Sequence, residues 1–224
     1  MIHTVIFDVG GTLVKARSSL ITFSEWLAPD NENLRKELLE FIIKQFMIIY
    51  REENPIKFIG IKEIIAMVLK KAADKYSVED ISGQADKRYG EAYLNNANLF
   101  DDTIPTLQKL KKMNIKLIVA SDADPDALDK ELSTFEIFHY FDEIVISGIV
   151  GAYKPSKKMT EAILQKCDQP YTGILFVGDT EVDILTAKNI GAKSVLIKRN
   201  GEFPIEADYC IDNLDKIFEI IETN

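Results

Sequence analysis

Short apolar runs alternate with amphipathic segments along most of the chain. Six such runs, bounded by turn residues, read TVIF, IKLIVA, EIVIS, GILFV, SVLI and YCI. Runs of this length are typical of strands that are buried on both faces, as in a parallel sheet. The segments between them predict crossover helices. We therefore expect an α/β fold built on a doubly wound parallel sheet.

Two of the connecting segments show clear helix signals. DDTIPTLQKLKKM places Ile104, Leu107 and Leu110 on one side of a helix and collects lysines at its end, where the helix dipole favours positive charge. DTEVDILTAKNIGA begins with carboxylates and ends at Gly191, which suits a left-handed C-terminal cap. Both segments should pack against the sheet.

The long interval 16–98 breaks the alternation because it contains helical patterns and no convincing strand. One of its helices is predicted by apolar residues at helical spacing, namely Ile61, Ile64, Ile65, Val68, Leu69 and Ala72. Breaks between its helices are predicted at Pro29, Asn54-Pro55 and Gly60. We expect a core formed by residues 1–15 and 99–224, with a helical domain, 16–98, inserted after the first strand.

The net charge, the cysteines and the lengths of the apolar runs disfavour several classes of protein. The 224 residues have a net charge of -9, which disfavours binding to nucleic acid or to an anionic membrane surface. Cys167 and Cys210 lack the spacing of a zinc or redox site, so we expect two buried thiols and no disulfide. The N-terminus has no secretion signal and no run could span a bilayer. The prediction is a soluble cytoplasmic protein.

Polar residues follow the ends of four predicted strands. Ligands bind at this edge of open parallel sheets, so these residues should meet in one crevice. They are Asp8 after TVIF, Ser121 and Asp122 after IKLIVA, Lys154 on the loop after EIVIS, and Asp179 and Asp183 after GILFV.

This set of side chains has a coherent chemistry. Converging aspartates repel one another unless a divalent cation lies between them, and a set of oxygen ligands suits Mg²⁺. With Mg²⁺ and Lys154 balancing charge, the crevice could hold a phosphate. Asp8 could then attack phosphorus and form an aspartyl phosphate that water cleaves. Ser121 would donate a hydrogen bond to a phosphoryl oxygen.

The order and spacing of these residues resemble the haloacid dehalogenase (HAD) superfamily of phosphatases and related hydrolases. The resemblance covers nearly the whole predicted core through four motifs, FDVGGTL, IVASD, GAYKP and FVGDTEVD. It implies that residues 16–98 form a helical cap that closes over a small phosphorylated or halogenated metabolite. The sequence leaves open whether the protein is a monomer or a homodimer.

The resemblance implies a role for each motif residue. Asp8 would be the nucleophile, and Ser121 and Lys154 would bind the phosphate. Mg²⁺ would be held by Asp8, Asp179 and the backbone carbonyl of Gly10, with support from Asp183. Gly11, Thr12 and Asp122 are expected to contact the substrate together with Ser121 and Lys154.

One position departs from the pattern of most phosphatases in this superfamily. They have a second aspartate two residues after the nucleophile, where it protonates the leaving group, and this chain has Gly10 there. A positioned general acid typically contributes roughly 10²- to 10⁴-fold. Either the substrate has a good leaving group, such as an acyl phosphate, or a neighbour such as Asp122 substitutes.

A different reaction is a third explanation of Gly10. Dehalogenases of the superfamily also lack the second aspartate, and phosphonoacetaldehyde hydrolases use a cap lysine instead, for which this chain offers Lys57, Lys62, Lys70 and Lys71. Metal-independent dehalogenases have no need of the pair Asp179 and Asp183, which favours a phosphatase. A non-enzymatic sensor that keeps a long-lived phosphoaspartate stays open.

A rival interpretation of the opening motif is a sugar-kinase or actin-like ATPase, whose phosphate loop can also read DxGGT. Glycines in such a loop let backbone amides approach the nucleotide. That fold continues with a hairpin and has no use for the later motifs YKP and GDTEVD. The joint placement of the motifs at successive strand ends favours the hydrolase.

Overall fold

The structure comprises two compact units. The computed structural model describes residues 1–16, 18–53, 58–199 and 205–224. One unit consists of Met1–Lys15 and Asn98–Asn224, and the other of Ala16–Ala97. The predicted break at Asn54-Pro55 and the candidate Lys57 lie outside the described residues.

The described residues form eight strands and ten α-helices. The strands are β1 (Thr4–Phe7), β2 (Val14–Ala16), β3 (Ala97–Leu99), β4 (Lys116–Ser121), β5 (Glu143–Ile146), β6 (Ile174–Gly178), β7 (Lys193–Ile197) and β8 (Tyr209–Ile211). The helices are α1 (Ser19–Leu27), α2 (Glu32–Met47), α3 (Ile61–Tyr76), α4 (Ala85–Leu94), α5 (Thr103–Lys112), α6 (Pro125–Thr134), α7 (Ser147–Val150), α8 (Lys157–Leu164), α9 (Glu181–Ile190) and α10 (Ile217–Glu222).

A six-stranded sheet organises the first unit. Its strand order is β5-β4-β1-β6-β7-β8, and every neighbouring pair is parallel. The first strand lies in the middle, with Phe7 in register with Val119 on one side and Val177 on the other. β1 and β6 are buried along their whole length. The predicted doubly wound parallel sheet is confirmed, and the carboxyl ends of β1, β4 and β6 lie side by side.

The helix α5 differs from its prediction in one residue. Leu107 and Leu110 are buried, but Ile104 is 38% exposed. Thr103 and Thr106 take its place on the buried face, and the Thr103 hydroxyl donates a hydrogen bond of 2.8 Å to the carbonyl of Leu13. A threonine whose hydroxyl finds a backbone acceptor can be buried at little cost. The hydrophobic spacing alone did not anticipate this rotation of the helix.

The second unit is helical. In α3, five of the six predicted apolar residues are buried, while Ile61 at its start is half-buried. Gly60 precedes α3 and Pro29 lies in the turn between α1 and α2, as the break signals predicted. The helix α2 continues into a π-helical segment, Ile48–Glu53. The role of this unit as a cap stays a prediction.

The chain crosses between the units in two short strands. β2 leads out of the first unit and β3 leads back into it, and the two pair as a separate two-stranded sheet. Strands of three residues are too short to leave a clear alternating pattern, which is why the sequence did not predict them. Within the described ranges, no helix combines the length and apolar character needed to cross a bilayer.

The two cysteines are free thiols in different surroundings. Cys167 is half-buried, whereas Cys210 is exposed, so the prediction of two buried thiols is wrong for Cys210. Cys210 lies on the edge strand β8, where side chains alternate between faces and the neighbouring Ile211 takes the buried one. Burial raises the pKa of the Cys167 thiol to about 11.

We expect iodoacetamide at pH 8 to alkylate Cys210 at least about tenfold faster than Cys167, because the thiolate is the reactive form. Peptide mass spectrometry over a time course measures both rates, and the Cys210→Ser variant should remove the fast phase. Equal rates at the two cysteines would contradict the difference in burial.

Candidate active site

Asp8 is held at the end of β1 by the backbone. Its N–H donates to the Val177 carbonyl of β6 at 2.9 Å. Directly after it, the Val9 carbonyl accepts hydrogen bonds from the N–H groups of Thr12, Leu13 and Val14 at 2.9 to 3.2 Å. The chain therefore turns sharply after Asp8. This turn keeps the buried Asp8 carboxylate at the carboxyl edge of the sheet.

Lys154 lies between two carboxylates. Its Nζ is 2.7 Å from Asp8 Oδ1 and 2.7 Å from Asp183 Oδ1, and it donates to the Ala120 carbonyl at 3.0 Å. These contacts use the three donors of the ammonium group. The side chain is 3% exposed. The backbone N–H of Lys154 donates to Asp122 Oδ1 at 3.0 Å, which fixes the loop that presents the lysine.

Asp183 is oriented by the start of α9. Its Oδ2 accepts hydrogen bonds from the Thr180 N–H at 3.1 Å and from the Thr180 hydroxyl at 2.6 Å, and the two residues form a capping box. A capping box satisfies backbone donors at the first turn of a helix. One carboxylate oxygen of Asp183 therefore accepts hydrogen bonds at the start of α9, and the other pairs with Lys154.

Asp179 completes a cluster of three carboxylates. Oxygens of Asp8, Asp179 and Asp183 all lie within 4.8 Å of one another. Asp179 Oδ1 is buried and has no hydrogen-bond partner among the residues that the structure describes. A buried carboxylate oxygen that lacks a donor is costly unless a cation approaches it. The oxygen-only ligand set and this unpartnered atom fit Mg²⁺.

Gly11 allows the close approach of the turn to Asp179. It has a φ of +80°, in the left-handed region that favours glycine, and a Cβ built on it would lie 2.1 Å from Asp179 Oδ2. Any side chain at this position would displace the carboxylate. The glycine thus lets the turn after Asp8 pack against the Asp179 carboxylate.

The charges of the cluster shift several pKa values. Burial raises the pKa of Asp8 well above its usual range, and Lys154 opposes this while Asp183 and Asp179 add to it. Burial also acts to lower the pKa of Lys154, but the neighbouring carboxylates outweigh it and raise that pKa well above its ordinary value. Burial and Asp183 raise the pKa of Asp179 to about 6. Lys154 is therefore charged, and the carboxylates repel one another.

The remaining predicted residues lie in the same strand ends and loops. Ser121 is buried at the end of β4, and Asp122 follows it. Thr12 is fully buried, and its carbonyl accepts a hydrogen bond of 2.9 Å from Arg199. Gly10 is exposed and forms an isolated bridge with Val14. The roles proposed for these four residues stay predictions.

The three candidate lysines that lie within the described residues are engaged in contacts of their own unit. Lys62 pairs with Asp86, and Lys71 donates to Gln45. Lys70 pairs with two carboxylates, those of Asp74 at 2.7 Å and Asp80 at 3.2 Å. Such contacts are those of ordinary helix-surface lysines. They give no support to a phosphonate hydrolase that would use one of them.

Two features of the site were not predicted from the sequence. Thr180 followed three residues later by Asp183 is close to a capping-box pattern and could have been recognised. The buried pair of Arg199 and Asp102, which reaches the turn after Asp8, is formed by residues 97 positions apart. No short motif marks it.

Comparisons with known proteins extend these observations. Residues 2–191 match the sequence model of haloacid dehalogenase-like hydrolases. The chain is 28% identical over 213 residues to a phosphoglycolate phosphatase of Aquifex aeolicus (strain VF5), and the alignment covers 90% of each chain.

Two solved structures have the same fold. The HAD phosphatase from Thermococcus onnurineus superposes with a TM-score of 0.70 at 22% identity over 98% of both chains. The L-2-haloacid dehalogenase from Xanthobacter autotrophicus superposes with a TM-score of 0.74 at 14% identity over 99% of both chains.

Proposed function

Because the chain belongs to the haloacid dehalogenase-like hydrolases, we propose that it is a Mg²⁺-dependent phosphatase of a small phosphorylated metabolite. The observation that carries the proposal is the cluster of Asp8, Asp179 and Asp183 around the charged Lys154. Three carboxylates, one with a buried oxygen that finds no hydrogen-bond partner in the described part of the chain, suit a divalent cation beside a phosphate. The similarity to a phosphoglycolate phosphatase supports the same class of substrate.

The proposed reaction has two steps. An oxygen of the Asp8 carboxylate attacks phosphorus, and the bond from phosphorus to the leaving oxygen breaks with its electron pair. The departing alkoxide takes up a proton from solvent, so the products are an aspartyl phosphate and an alcohol. Water then attacks phosphorus and gives up a proton to solvent, the bond to Asp8 breaks, and inorganic phosphate leaves as the carboxylate is restored.

The other side chains would bind and balance charge. The Lys154 ammonium stabilises the Asp8 carboxylate at 2.7 Å and offers positive charge to phosphoryl oxygens. The Ser121 hydroxyl would donate to another phosphoryl oxygen. Mg²⁺, held by Asp8, Asp179, Asp183 and the Gly10 carbonyl, would supply further positive charge to the transferring group.

A 2-haloacid dehalogenase is the second candidate. Gly10 supports it because no carboxylate follows Asp8 at this position to protonate an alkoxide, and expulsion of a halide needs no proton. In that reaction Asp8 would attack the carbon bearing the halogen. The metal-suited cluster favours the phosphatase over this alternative.

A hydrolysis screen with and without a chelator separates the two candidates. We expect release of inorganic phosphate from phosphorylated metabolites that needs Mg²⁺ and stops in excess EDTA. The parallel assay uses 2-chloropropionate and measures chloride. Chloride release that survives EDTA, with no phosphate release from any compound, would overturn the phosphatase in favour of the dehalogenase.

The Gly10→Asp variant tests whether proton donation limits the reaction. Gly10 is exposed, and an exposed position is where a substitution is least expected to disturb the fold. We expect turnover of alkyl phosphates to rise at least about tenfold, since a positioned acid typically contributes roughly 10²- to 10⁴-fold. p-Nitrophenyl phosphate, whose leaving group departs without a proton, should change little.

The matched control is Gly10→Asn, which adds a similar side chain that cannot act as an acid. It should leave the turnover of alkyl phosphates unchanged. An equal gain in both variants, or no gain in a folded Gly10→Asp protein that binds Mg²⁺, would show that proton donation at this position is not limiting.

A further inference from the structure

A buried ion pair lies behind the turn that follows Asp8. Arg199 donates from one terminal nitrogen to Asp102 Oδ2 at 2.7 Å and from the other to Asp102 Oδ1 at 2.8 Å. The side chains are 8% and 5% exposed. The guanidinium carbon lies 3.9 Å from the centre of the Phe100 ring, and Asp102 Oδ2 also accepts the Leu214 N–H at 2.9 Å. The Asp102 carboxylate and the Phe100 ring thus hold the guanidinium from two sides.

The same guanidinium reaches the turn itself. The nitrogen that pairs with Asp102 Oδ1 also donates to the Thr12 carbonyl at 2.9 Å. Thr12 directly follows Gly11, the residue that packs against the Asp179 carboxylate. A chain of contacts therefore runs from Asp102 through Arg199 and the turn to Asp179.

The burial of an ion pair does not by itself indicate that the pair stabilises the fold. Desolvation of two charges offsets most of their attraction, and apolar replacements of such pairs are often as stable. What an apolar residue could not reproduce is the hydrogen bond to the Thr12 carbonyl. Lysine could not reproduce the planar fork that binds both oxygens of Asp102 and a carbonyl together.

We propose that Arg199, fixed by Asp102, is a positioning residue that holds the Gly11–Thr12 turn against Asp179 and so sets the geometry of the divalent cation site. The inference rests on the proposed function, because it presumes that Asp8, Asp179 and Asp183 bind Mg²⁺. Residues that orient metal ligands typically contribute 10- to 100-fold to metal affinity.

Calorimetric titration of the 224-residue chain with Mg²⁺, in the absence of substrate, tests this role. We expect Arg199→Met to weaken Mg²⁺ affinity about 10- to 100-fold, and Arg199→Lys to weaken it by less. Asp102→Asn should resemble Arg199→Lys, since the guanidinium loses its charged partner. Urea unfolding with EDTA gives the stability of each variant separately.

The matched control is Arg35→Met in the second unit. Arg35 also donates to backbone carbonyls, those of Ala28 and Pro29 within the same unit. Its replacement should leave Mg²⁺ affinity unchanged even if stability falls.

The outcomes separate the inference from the function on which it rests. Wild-type Mg²⁺ affinity in a folded Arg199→Met protein would overturn the positioning role and leave the phosphatase intact. If Arg199→Met does not fold, wild-type affinity in Arg199→Lys and Asp102→Asn would overturn it equally. Failure of the wild-type protein to bind Mg²⁺ would instead contradict the proposed function.

Discussion

The Asp8→Asn variant is expected to lose at least about 10³-fold in turnover of every phosphorylated substrate while keeping its fold. The amide is nearly isosteric with the carboxylate and still accepts the hydrogen bond that Lys154 donates at 2.7 Å. It lacks the negatively charged oxygen that attacks phosphorus. Steady-state phosphate release and circular dichroism measure the two properties.

Asp129→Asn is the matched control for loss of one carboxylate. Asp129 is exposed on α6 of the same unit, and its replacement should leave turnover unchanged. Substantial phosphatase activity in a pure Asp8→Asn preparation would mean that another group attacks phosphorus.

Lys154→Met is expected to destabilise the protein by about 3–5 kcal/mol in the presence of EDTA. Lys154 is 3% exposed and its removal leaves the carboxylates of Asp8 and Asp183 buried without their cationic partner. Added Mg²⁺ should restore part of the loss, because a ligand that binds only the folded state stabilises it. Urea unfolding with EDTA and with Mg²⁺ measures both effects.

The loss should also depend on pH. Burial raises the pKa of Asp8 above its value in the unfolded chain, so the folded state binds the proton more tightly. The stability of Lys154→Met in EDTA should therefore rise as the pH falls and decrease as the pH rises through the folded pKa of Asp8.

Lys157→Met, at an 89% exposed lysine, should cost less than about 0.5 kcal/mol. Equal losses in the two variants would contradict the account of Lys154.

The strand ends explain why much of the site was predictable. A short apolar run followed by Asp8 or by Asp179 is a local signal, and the parallel sheet brings such ends together. In the structure, Lys154 forms ion pairs with both Asp8 and Asp183. Sequence order and one rule of sheet topology were sufficient for that result.

Other features depend on long-range packing that local patterns do not encode. The rotation of α5 that exposes Ile104 depends on the acceptor that Leu13 offers to Thr103, 90 residues away. The pairing of Arg199 with Asp102 depends on β7 ending near the start of α5. The pairing of the Lys154 ammonium with two carboxylates depends on the burial of all three groups, which local sequence patterns do not indicate.

Trapping of the covalent intermediate tests the central claim, that Asp8 is the nucleophile, most directly. The protein is quenched during turnover of a phosphorylated substrate, reduced with sodium borohydride and digested for peptide mass spectrometry. Because borohydride reduces an acyl phosphate to an alcohol, the account predicts homoserine at position 8, dependent on substrate and absent from Asp8→Asn. Reduction at another carboxylate, or unmodified Asp8 throughout a measured burst of product, would contradict it.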